Sequence, residues 1–185
     1  MSWDPAILER AWEPLSPAAR GELMTMGLEP EAALRHTGHA LPRRAISAPD
    51  VLNEATAYAP IPSSFSRGLR VELPSTSMLL LSGTSAVDEN GSTVHAGDFA
   101  AQCLRTYRNL GRLLESEGAS WRDVVRTTCY LRDIDRDYAT FNRLRTAFYA
   151  ALGIAPLPAS TAIQARLCRP DLLIEIEALA LIARP

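Results

Sequence analysis

Apolar positions recur along this chain with two periods, which sort it into strands and helices. The longest period-two run is Asp171-Leu172-Leu173-Ile174-Glu175-Ile176-Glu177-Ala178-Leu179-Ala180-Leu181-Ile182, entered through the turn dipeptide Arg169-Pro170. Side chains alternate faces along a strand, so Leu172, Ile174, Ile176, Ala178 and Ala180 share a wholly apolar side that calls for a helix layer. The other side carries Leu173, Glu175, Glu177, Leu179 and Leu181, with its two carboxylates roughly 7 Å apart along the strand. Carboxylates are almost never fully buried without a partner, so this side meets water, a cation or a ligand. The strand is the leading candidate for an active-site element.

Two helical stripes accompany it. Asp98 caps a helix over 98–117, in which Ala100, Cys103, Leu104, Tyr107, Leu110 and Leu114 form the apolar face and Gly118 is the stop. Gln102, Arg105 and Arg108 fall toward solvent. A second helix runs from about Asp137 to Leu152, with Tyr138, Phe141, Leu144, Phe148 and Leu152 on its stripe and Gly153 behind it. Between them, Val124–Arg132 reads as a strand with Val125, Thr127, Cys129 and Leu131 on one face. Its other face, Arg126, Thr128, Tyr130 and Arg132, is either the lining of an anion site or the wet side of a sheet. Glu177 finds a salt-bridge partner in Arg126 or Arg132.

Upstream, Phe65–Leu73 alternates weakly and Met78–Leu81 is a short buried strand. Ser82-Gly83-Thr84-Ser85 then forms a small-residue turn, either a plain bend or a place where backbone amides approach a ligand. Asp88–Gly91 is a hairpin-type turn, and Ser160–Cys168 is a further strand. The order is strands, helix, strand, helix, two strands. It predicts an α+β fold, a mixed sheet with two helices on one face.

Residues 1–40 hold three short helical candidates, after Asp4-Pro5, Ser16-Pro17 and Glu29-Pro30. Leu41–Pro62, interrupted by four prolines, reads as an extended connector with a turn of helix at Val51–Ala55. The division expected is a 1–60 extension and a 61–185 main domain. Trp3, Trp12, Met24 and Met26 give the extension apolar contacts for the domain surface, for a lid over the cleft, or for a partner protein.

Charge and composition narrow the function classes. The 19 basic residues are scattered against 21 acidic ones for a net charge of −2, so no electrostatic surface for nucleic acid is expected. No apolar window approaches a membrane span, and the first residues lack a signal-peptide pattern, so the protein is expected in the cytoplasm. Cys103, Cys129 and Cys168 show no CxxC spacing and read as reduced thiols. His36, His39 and His95 stand without ligands at metal-binding spacing, so no metal or cofactor is expected.

Over residues 62–183 the chain resembles the Rid (YjgF-type) family of small trimeric proteins. The resemblance is carried by Leu81-Ser82-Gly83, Ala101-Gln102, Asn109-Leu110, Asp123–Thr128 and Tyr130–Asp133. It continues through Tyr138–Asn142, Ala147-Phe148, Ala165-Arg166-Leu167 and Ile174–Ala180. It implies a mixed sheet backed by two helices, three subunits closing a barrel, and ligand clefts at their interfaces. Members with imine deaminase activity form the pocket from several groups: the Ser-Gly backbone, a helix asparagine, the first glutamate of the last strand, an arginine, a tyrosine and a cysteine. Ser82, Gly83, Asn142 and Glu175 match. The tyrosine position falls on Phe65, the cysteine position on Thr161, and the arginine position on Ala159 or, with a one-residue shift, Ser160. Neither Ala nor Ser replaces a guanidinium that grips a carboxylate with two charge-assisted bonds, which argues against efficient deamination of 2-imino acids.

A narrower likeness joins Cys168–Glu177, Ser82-Gly83-Thr84 and His95–Asp98 to the C-terminal half of chorismatases. In these hydrolases of secondary metabolism a glutamate at the Glu175 position is the proton donor. The resemblances together imply a homotrimeric hydrolase, acting on an imine-like, enamine-like or enol-ether-like small metabolite with Glu175 as general acid or base. The alternatives are a non-catalytic binding or assembly protein of the same fold and a chorismatase-like hydrolase.

Overall fold

The computed structural model describes residues 12–28, 41–55 and 63–183. The chain forms two compact units, Met1–Ala40 and Leu41–Pro185. In the first, helix α1 (Pro17–Thr25) forms as its punctuation predicts. Ser16 Oγ accepts a bond from Ala19 N at 3.2 Å, and Gly27 ends the turn at φ +68°. The helices expected after Asp4-Pro5 and Glu29-Pro30 lie outside the described residues, apart from Trp12.

The second unit is one six-stranded sheet in the order β1-β2-β3-β6-β4-β5. Its strands are β1 (Arg43–Ile46), β2 (Gly68–Glu72), β3 (Thr76–Ser85), β4 (Val124–Leu131), β5 (Ala159–Gln164) and β6 (Ile174–Ala183). All neighbours are antiparallel except β4 and β5. Helices α2 (Phe99–Glu115) and α3 (Ile134–Ala151) pack on it, capped by Asp98 and Asp133. This is the expected α+β architecture. The even side of β6 is buried as predicted: Leu172, Ile174, Ile176, Ala178 and Ala180 join Cys103, Tyr107, Leu110 and Phe141 in the core. An aromatic group of Tyr107, Trp121 and Phe148, with Tyr107 and Phe148 stacked at 4.5 Å, locks α2 to α3. Burial pushes the Cys103 thiol up to about 12, in keeping with a packing role. Among the described residues, no helix is long and apolar enough to cross a membrane.

Several local expectations change. The stretch from Leu41 is no free connector: Arg43–Ile46 pair with Val71–Gly68, and the compact unit starts at Leu41 rather than near residue 60. Pro42 and Pro49 flank this edge strand without interrupting it, as edges allow. Helix α3 starts earlier than predicted, and its inner side carries Phe141 and Tyr149, while Tyr138 and Leu152 are exposed. Val125 is 41% exposed, because the β4–β6 register slips between Val124 and Arg126.

Gln102 is the largest reversal. It is fully buried, not solvated. Its Nε2 donates to His95 O at 3.2 Å and to Asp171 O at 2.8 Å, and its Oε1 accepts from Leu173 N at 2.8 Å. These bonds hold the entry to β6, which begins at Ile174 rather than Asp171.

Candidate functional site

Strand β6 lifts Glu175 and Glu177 to the face of the sheet that the helices leave open. Ser85 of β3 and Tyr130 of β4 stand in register on either side of Glu175, and Thr128 stands beside Glu177. Ser85 Oγ donates to Glu175 Oε2 at 3.2 Å, and Tyr130 Oη donates to Glu177 Oε1 at 3.1 Å. Burial and the Glu177 carboxylate push the Tyr130 hydroxyl above its ordinary range, which keeps it a donor.

The expected pairing of Glu177 with Arg126 or Arg132 is therefore replaced by the Tyr130 contact. Arg132 turns to the carbonyls of Leu172 and Arg169 and braces the loop before β6. Arg126 reaches across to β5, where its Nη2 donates to Thr161 Oγ1 at 3.4 Å.

Ser82 and Gly83 lie within β3 and not in a turn beyond it. The register passes from Leu81↔Ala178 to Thr84↔Ile176, so two β3 residues oppose one on β6. This is a β-bulge, which re-aims the backbone. It brings Gly83 under Glu175: a Cβ built there would overlap Oε1 and lie 2.9 Å from Cδ. Ser82 Oγ donates to Ser66 O at 2.7 Å and Ser82 N to Arg67 O at 3.1 Å, so the bulge also holds the segment carrying Phe65. Phe65 is 41% exposed, with the guanidinium carbon of the buried Arg67 5.7 Å from its ring centroid.

The remaining predicted residues divide between the two faces. Thr161 shares the open face with Arg126. Ser160 is in register with the buried Thr127 and turns to the helix side, where Thr127 Oγ1 donates to its Oγ at 3.0 Å. There Arg145 donates to Ser160 Oγ at 3.1 Å and to Asn142 Oδ1 at 2.7 Å. Asn142 and Ser160 thus form a cluster with Arg145, apart from Glu175. Sequence reasoning missed Arg145, although its i+3 spacing from Asn142 on one helix was a usable signal. Among the described residues, no three His, Cys, Asp or Glu side chains gather as metal ligands. What the open face offers is proton transfer from a carboxyl held at one oxygen, with hydroxyls of Ser85 and Tyr130 beside it.

Comparison with known proteins places this geometry. The profile of the family described as Endoribonuclease L-PSP matches residues 57–182. The chain is 35% identical over 103 residues to the 3-aminoacrylate deaminase RutC of Acinetobacter baylyi, across 56% of this chain and 78% of that protein. It is 34% identical over 104 residues to the 2-iminobutanoate/2-iminopropanoate deaminase of Salmonella typhimurium, across 56% and 79%. The crystal structure of the YjgF gene product from E. coli superposes with a TM-score of 0.60 at 27% identity, across 77% of this chain and 99% of that one. By profile, sequence and fold alike, the chain belongs to the Endoribonuclease L-PSP family, the Rid (YjgF-type) proteins.

Proposed function

We propose that this protein hydrolyses an imine-like or enamine-like bond in a small metabolite, with Glu175 as general acid or base, in a cleft between subunits of a homotrimer. The observation that carries the reading is the setting of Glu175. It is half-buried on the open face, with Oε2 bonded by Ser85 and Oε1 lying over Gly83, where no side chain intervenes. A carboxyl fixed this way is oriented to move a proton. Glu175 takes a proton from water as the oxygen adds to the imine carbon and passes it to nitrogen, then relays the proton of the new hydroxyl in the same way, so that a carbonyl forms as the carbon–nitrogen bond breaks and nitrogen leaves as ammonia. Two relatives that are named as deaminases support the reaction class. Imines generated in situ from a panel of α-amino acids, ω-amino acids and simple amines by amino acid and flavin amine oxidases supply the assay. Turnover that disappears in Glu175→Gln is the expected result, and turnover that survives it would overturn the reading.

The homotrimer is supported by the apolar character of the open face, where Leu80, Leu181 and Ile163 are 37%, 40% and 42% exposed. Sedimentation is expected to give a trimer for the native chain and monomer for Leu181→Lys. A second reading, a binder without chemistry, is favoured by Ala159 or Ser160 and by Phe65, which lack the guanidinium and the hydroxyl that the family resemblance implies at those positions. Ligand binding with no turnover anywhere in the panel would select it.

A further inference from the structure

We propose that Asn109 is a positioning residue for Glu175: from the helix side of the sheet it fixes Ser85, whose hydroxyl holds the carboxyl on the open side. The inference rests on the reading of Glu175 as the proton-transfer group and adds what keeps that group in place.

The contact between Ser85 and Glu175 sits at the last rung of the β3–β6 ladder. Beyond Ser85 the chain leaves β6 and turns into the Val87–Thr93 bridge, so no further rung steadies this end of β3. Asn109 takes the place of that rung. It is fully buried on α2, and its Nδ2 donates to Ser85 O at 3.0 Å and to Val87 O at 2.9 Å. Carbonyls only accept, so the amide nitrogen must face them, and its two hydrogens serve one carbonyl each. Ser85 O also accepts from Val87 N at 2.9 Å, and Val87 O from Arg105 Nε at 3.3 Å, which closes the turn onto the helix.

The strand of the acid is held from the same helix. Gln102 stands two turns before Asn109 on one buried face of α2 and bonds Leu173 N, two residues ahead of Glu175. One helix therefore clamps the end of the strand that carries the hydroxyl and the start of the strand that carries the acid. Between the clamps, the bond from Ser85 Oγ to Glu175 Oε2 closes on the open face. Asn109 grips backbone and not the acid, so its effect on the chemistry passes through Ser85. Released from Asn109, the terminal residue of β3 is free to shift. A shift of about 1 Å carries a 3.2 Å contact beyond hydrogen-bonding distance and frees the carboxyl to leave its place over Gly83.

Glutamate labelled with carbon-13 at its carboxyl carbon gives Glu175 a resonance of its own, assigned in the full chain by its loss in Glu175→Gln. Ser85→Ala is expected to move that resonance by breaking the bond, and Asn109→Ala to move it in the same direction. Added to Ser85→Ala, Asn109→Ala should move it no further. Leu114→Ala, a core cavity in the same helix, should lower the melting temperature and leave the resonance in place. Should Asn109→Ala fail to fold, Asn109→Ser, which keeps a donor, carries the same expectation with a smaller shift. With imines from the panel, Asn109→Ala and Ser85→Ala should each lower kcat about tenfold with KM nearly unchanged, and the double variant should be no slower. A Glu175 resonance unmoved in the Asn109 variants would overturn the positioning role. So would an equal movement in Leu114→Ala, or losses that multiply in the double variant. The acid–base reading fails separately, on turnover that survives in Glu175→Gln, and the resonances decide the role of Asn109 even then.

Discussion

Gln102→Leu is expected to destabilise the protein by about 3 kcal/mol, through buried backbone groups left without partners. Leucine fills much the same volume, so little of this is a cavity effect. The loss is instead the desolvation cost of Leu173 N–H, compounded at the carbonyls of Asp171 and His95, all of which the amide now satisfies. At roughly 3 °C per kcal/mol for a domain of this size, the melting temperature should fall by about 10 °C. Urea denaturation followed by circular dichroism gives the value directly. A change below about 1 kcal/mol would mean that these groups find other partners and that the amide is not what holds the entry to β6.

Gln102 also shows where the sequence stops being legible. Its polarity on an amphipathic helix points to solvent, because the backbone groups it satisfies come mainly from a loop about 70 residues further on. Helix and strand periods, by contrast, are local, and the elements written in them (α2, β4, β6) appear with most of their predicted buried faces, although Leu104 of α2 and Val125 of β4 are exposed. Strand β1 escaped for the opposite reason: four residues between two prolines are too few to display a period. The Ser82–Ser85 stretch misled because small residues serve a bulge inside a strand as well as a turn beyond one. Glu175 and Gly83, far apart in the chain and both singled out by the family resemblance, stand in contact in the structure. Ser160 and Thr161 were not separable, because one residue of register decides the face on which a strand residue stands. The structure puts Thr161 with Arg126 and Ser160 with Arg145. The same register turns the polar side of β4 into a particular arrangement: Tyr130 on Glu177, Arg126 across to Thr161.

Glu175→Gln is expected to lower kcat/KM by about 100-fold or more without changing the fold. Glutamine keeps the shape and an acceptor for Ser85 Oγ, so the hydrogen bond survives and only proton transfer is lost. Gly83→Ala should reach a loss of similar size by another route. The backbone at Gly83 has no positive φ, so alanine fits its conformation. The new methyl group would meet the end of Glu175, a flexible side chain that can swing aside, so the stability change should stay within about 1 kcal/mol. Yet swinging aside takes the carboxyl from Ser85 and from the reacting atoms, and a displacement of about 1 Å can cost about 100-fold. Because both substitutions disable one group, the double variant should be no slower than Glu175→Gln alone. Full turnover in Gly83→Ala would mean that the acid does not work from the position it holds over the bulge. Additive losses in the double variant would mean that Gly83 contributes something besides room, such as its own backbone amide. The bulge and the acid are thus one device, in which β3 gives up a side chain so that the carboxylate of β6 has a fixed place to stand.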